Sequence, residues 1–113
     1  MAKYLILYNA PEKAGEFMAQ STPEQIAAGR AAWIAWKDEA TKSVGFEFGS
    51  PVQVVGRVTS AGVEESDTIA SGYSIMESDS QDAVMEALAN HPHLKRPQAS
   101  IDVLEMLEMK AGA

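Results

Sequence analysis

The chain has no cysteine, so disulfides, thiolate nucleophiles and zinc–cysteine centres are excluded. It has little base: nine Lys and Arg stand against sixteen Asp and Glu, a formal charge of −7. Phosphate backbones are held by clusters of Lys and Arg. The densest cluster here is the pair Lys95-Arg96, so no nucleic-acid partner is expected. No apolar run approaches the ~20 residues of a membrane span. Met-Ala-Lys leads straight into strand-like sequence without a signal-peptide apolar segment. These absences together predict a soluble, cytoplasmic protein that does not bind membranes. The spacing of Gly45, Gly49, Gly56 and Gly62 makes neither a P-loop nor a dinucleotide fingerprint, and no cofactor is expected. Histidine is scarce too. His91 and His93 are the only two, which confines neutral-pH imidazole chemistry to one loop.

What is present fits one domain over residues 1–113, long enough for one ordinary core. Lys3 to Asn9 is apolar on both alternating faces, with Tyr4, Ile6 and Tyr8 on one side and Leu5 and Leu7 on the other. A strand of that kind is covered twice. Helices can supply one cover, and a second copy of the chain is the economical source of the other. A helical turn around Glu16-Phe17-Met18 is plausible in the polar connection that follows. A long helix then starts near Ser21-Thr22-Pro23-Glu24, capped by Ser21 with Glu24 or by Thr22 before Pro23. It runs to about Thr41–Val44, with Gly45 as its stop.

Phe46 to Pro51 reads as irregular, and Val52 to Thr59 as the second main strand, followed by a turn at Ser60-Ala61-Gly62 and a short hairpin return from Val63. Ile69 to Glu77 is the third main strand, Ser80 to Asn90 a second helix capped by Ser78 or Ser80, and Ser100 to Met109 the last strand. The order β-α-β-β-α-β predicts an α+β, ferredoxin-like fold, an antiparallel sheet with two helices on one face.

With these elements in place, the chain resembles the YCII-related family of small dimeric α+β barrel proteins. The matching residues are Lys3 to Tyr8, the Trp33–Trp36 segment, Gly72-Tyr73-Ser74-Ile75, His91-Pro92-His93-Leu94 and Ser100-Ile101-Asp102-Val103. The resemblance implies a homodimer packed through its sheet faces. Two features of the family pattern are missing: the Asp-Gly-Pro-Phe sequence after the central hairpin, and a histidine in the first helix, where relatives have a proposed His–Asp pair. Similar barrels include isomerases, dehalogenases and cofactor-free monooxygenases, but a shared fold does not transfer chemistry.

His93 is the foremost candidate for chemistry, as a general acid/base at a pocket mouth with Asp102 orienting it. His91 is expected to cap a helix end, where a partly charged imidazole is favoured, and also to border the ligand. Tyr8, Trp36 and Tyr73 are expected to wall a helix–sheet cavity, Trp33 to lie in the core, and Arg57 to pair with Asp102 or with a ligand. His91 and His93 with Asp102 or Glu105 could make a metal site, but no third ligand is fixed by spacing, and none is expected. Two functions follow: a cofactor-free acid/base enzyme on a small metabolite, or a non-catalytic binding or regulatory dimer using the same cavity.

Overall fold

The computed structural model describes residues Met1 to Met109. Strand β1 (Ala2–Asn9) is followed by helices α1 (Ala14–Gln20) and α2 (Pro23–Ala40). Next come strand β2 (Gly45–Pro51), a hairpin of β3 (Arg57–Thr59) and β4 (Gly62–Glu64), and strand β5 (Ala70–Ser78). Helix α3 (Gln81–Leu88), a 3-10 turn (Pro92–Lys95) and strand β6 (Ser100–Met106) complete the chain. The result is an α+β fold with a four-stranded antiparallel sheet in the order β2-β5-β1-β6. Among the described residues no helix is long and apolar enough to cross a membrane.

Local chemistry explains where the helices begin. Thr22 caps α2, its hydroxyl accepting from the Gln25 amide (3.1 Å) while the Gln25 side chain accepts from the Thr22 amide (2.8 Å). Pro23 at the first helical position gives up an amide that would have had no partner. Of the two starts open to the sequence, the structure takes Thr22 rather than Ser21. Ser80 caps α3 through the Ala83 amide.

The second main strand differs from expectation. Val52 to Gly56 is not strand, its link to the main sheet being the Val52 amide donating to the Ser71 carbonyl at 3.0 Å, and Arg57 to Thr59 belongs to the separate hairpin. The segment expected to be irregular, Phe46 to Pro51, lies in the edge strand β2 (Gly45–Pro51) instead. Side-chain burial outweighed β-propensity here. Phe46 pairs with Met76 and packs against Trp36 with ring centroids 5.1 Å apart, whereas Val55, Val58 and Val63 remain largely exposed. Pro51 is tolerated because an edge strand has amides that need no ladder partner. Gly49 sits in the register shift of β2, and a Cβ there would lie 2.4 Å from the Tyr73 carbonyl oxygen. Only glycine allows that approach.

Tyr4, Ile6 and Tyr8 of β1 face the helices, with Met76 of β5 beside them. Trp36 and Ala40 of α2 and Val84 and Leu88 of α3 close this core. The opposite sheet face carries Leu5, Leu7, Ile75, Leu104 and Met106, each half-buried or exposed among the described residues.

Candidate functional site

Between α1, α2 and the sheet lies a cavity of about 570 Å³. Its floor is the end of β1 and the neighbouring stretch of β5, where Tyr8, Ser71 and Gly72 meet. The register of β1 shifts between Tyr8 and Asn9, and Ser71 Oγ donates to the Tyr8 carbonyl at 3.0 Å, fixing this corner. The Tyr8 hydroxyl shares a 2.7 Å hydrogen bond with Ser74 Oγ. Burial pushes the phenol up to about 12 against the opposing pull of that hydrogen bond, so Tyr8 stays neutral. Trp33 packs on it with ring centroids 4.8 Å apart and forms part of the cavity wall.

The two histidines occupy different settings. The His91 amide reaches back to the Leu88 carbonyl, terminating α3, while its Nδ1 accepts from the His93 amide at 3.0 Å and caps the 3-10 turn. The ring is 1% exposed, with centroids 5.0 Å from Tyr8, 4.4 Å from Trp33 and 4.3 Å from Trp36. Burial, then the charge of His93, pulls its pKa down to about 4. The partly charged helix cap expected of His91 is therefore replaced by a neutral imidazole. Since Nδ1 accepts, the proton sits on Nε2, which has no hydrogen-bond partner among the described residues. His91 is a core residue and does not line the cavity.

His93 does line it. Its Nε2 lies 2.8 Å from the Asn9 carbonyl and must donate, which leaves Nδ1 as the acceptor nitrogen. Burial lowers its pKa first, and the Arg96 charge acts in the same direction. Hydrogen bonding to the backbone of Asn9 and Ser100 opposes both. His93 is neutral at neutral pH.

Asp102 does not meet His93 directly. Its register opposite Leu7 puts it on the sheet face away from the helices, where Oδ2 accepts from the Asn9 side-chain amide at 2.8 Å. Asn9 thus stands between the two, its carbonyl on His93 and its amide on Asp102. Strand alternation makes this unavoidable, because Ile101 and Val103 take the helix-side positions. Arg57 is also elsewhere. It lies on the hairpin, bonded to Asp67 at 2.8 Å and paired with Glu64 at 3.8 Å. Tyr73 borders the cavity beside Gly49, as expected.

The two tryptophans exchange their expected roles. Trp36 is buried, its indole N–H donating to the Ala87 carbonyl at 2.8 Å, and it belongs to the core. Trp33 takes the wall position. Phe17, Arg30 and Arg96 also line the cavity and were not singled out from sequence. The spacing of Arg30 and Trp33, one helical turn apart, is the signal that links them. Among the described residues no group of three His, Asp or Glu side chains comes together as a metal ion would require. No family model matches the chain, and no curated protein is similar enough to it to count as a match.

Proposed function

We propose that this protein binds a small, mainly apolar organic molecule in the cavity under α1 and α2. One observation carries the reading: Phe17, Ile26, Ile34 and Phe48 each leave more than a third of their surface exposed, and all four border that cavity. Exposed apolar side chains gathered around a concavity mark a ligand site. Trp33 is the reporter. A library of aromatic and alicyclic metabolites should contain compounds that raise the melting temperature and change the tryptophan emission of the wild type but not of Trp33→Phe. A library that produces neither response would refute the reading.

His93 favours a second reading, cofactor-free acid/base catalysis. Its tautomer is held by the Asn9 carbonyl, and the residue borders the cavity as a neutral imidazole. Asp102 would contribute only through Asn9. Product formation from a bound compound, lost in His93→Gln with binding retained, would establish catalysis; full occupancy without product would leave a binding protein.

The strand order β2-β5-β1-β6 is consistent with a ferredoxin-like arrangement and supports the resemblance to the YCII-related family. The half-buried or exposed row of Leu5, Leu7, Ile75, Leu104 and Met106 supports a homodimer joined through the sheets. Sedimentation at micromolar concentration should give twice the chain mass, and Leu7→Asp should give a folded monomer. A monomeric wild type would remove the dimer.

A further inference from the structure

We infer that the molecule held in this cavity is an organic anion, an apolar ring or chain ending in a carboxylate, and that Arg30 and Arg96 recognise the charged end. This rests on the proposed binding function and adds the chemical class of the ligand.

Charge around the cavity is the reverse of charge on the protein. Acidic residues outnumber basic ones sixteen to nine, yet no Asp or Glu lines the cavity, and its two formally charged residues are both arginine. The ion pairs among the described residues occupy the N-terminus, Lys42 and Arg57. Neither Arg30 nor Arg96 has a carboxylate within 4 Å there, nor a side-chain hydrogen bond. Two unneutralised guanidinium groups at one concavity, in an otherwise acidic molecule, make a local positive potential that attracts anions.

Arg96 is prepared for such a ligand. Its guanidinium carbon stands 3.8 Å from the centroid of the Phe17 ring. Cation–π contact uses the flat face of the group and leaves its N–H donors free at the edge. A forked pair of N–H donors matches the two oxygens of a carboxylate. Phe17 belongs to α1, which buries none of its residues in the core, so this stacking ties α1 to the loop after the 3-10 turn. Arg30 approaches from α2, one turn before Trp33. The apolar remainder of the ligand then has Trp33, Ile34 and Phe48 to rest on. His93 and Arg96, three residues apart across the 3-10 turn, both line the cavity. A carboxylate bound at Arg96 would therefore arrive beside the one imidazole that borders the cavity.

The test compares 2-naphthoate with 2-naphthamide, equal in shape and different in charge, by titration calorimetry on the full chain at pH 7.5. Naphthoate should bind about tenfold or more tightly, a difference in the range of one charge-assisted hydrogen bond. Arg30→Gln and Arg96→Gln should each erase most of that preference while leaving naphthamide within about twofold, and Lys42→Gln should change neither. Arg96→Lys, which keeps the charge but not the fork, should fall between. Far-UV circular dichroism of each variant confirms that it is folded. Equal affinity for the two probes would overturn the anion assignment and leave the cavity function standing. A naphthoate preference untouched by both glutamine variants would overturn it as well. Binding of neither probe would count against the cavity function itself, and against this assignment with it.

Discussion

Trp36→Ala should cost about 3–5 kcal/mol, the range for removing a large buried ring. A domain of this size has about 5–15 kcal/mol in total, so the variant should unfold at far lower denaturant or not fold at all. The ring is 7% exposed and fills the space between α2, α3 and β2, touching Phe46 and His91. It also satisfies the Ala87 carbonyl near the end of α3, at 2.8 Å. Trp36→Phe separates the two contributions: it keeps most of the packing and removes the donor, and should cost about 1–3 kcal/mol. Urea denaturation followed by far-UV circular dichroism gives both values. A loss below about 1 kcal/mol for Trp36→Ala would mean that the indole belongs to a ligand site after all, as its sequence suggests.

The contrast between Trp33 and Trp36 shows what the sequence could convey. The periodicity of α2 announced an aromatic inward stripe, but three residues along a helix turn a side chain by about 60° from alignment. That rotation decides between core and cavity wall, and it depends on how the helix is rolled against the sheet. Strand faces were more legible. Tyr4, Ile6 and Tyr8 share one face as read, because alternation with period two leaves no intermediate choice, and that face is the one the helices cover.

The same alternation also explains the misplacement of the His93–Asp102 pair. Asp102 follows Ile101 and precedes Val103, both of which pack toward the core, so the acid had to point away. The arrangement of Asn9 between them needed the register of β1 against β6, and register is a long-range property. The Val52–Thr59 segment failed for a related reason. Four valines gave it strand propensity, whereas the sheet selected Phe46 and Phe48, whose rings could reach the core side. Arg30 and Arg96 are far apart in sequence, and only the packing of α2 beside the 3-10 turn brings both to one cavity.

Acid should destabilise this protein well before its carboxylates are neutralised, and His91 is the reason. Above pH 6.5 its imidazole is neutral folded or unfolded and contributes nothing to the pH dependence. Below 6.5, its ordinary pKa, the unfolded chain takes up a proton that the folded chain refuses until about pH 4. Stability therefore falls as the pH drops from 6.5 to 4, by about 3 kcal/mol for a shift of this size. His93, also lowered, acts in the same direction. The loss is steep because nothing can relieve it: a charged His91 would lie between Tyr8, Trp33 and Trp36 with no acceptor for Nε2 among the described residues. His91→Asn makes the argument testable. An asparagine oxygen can still accept from the His93 amide and preserve the cap, while the titrating group is gone. The variant should be less stable than wild type at pH 7.5, from lost ring packing, yet lose clearly less stability between pH 6.5 and 4.5. Urea midpoints at four pH values across that interval would show it. Parallel slopes for the two proteins would mean that His91 takes up its proton as readily folded as unfolded, and that the neutral aromatic cluster is not what holds the ring.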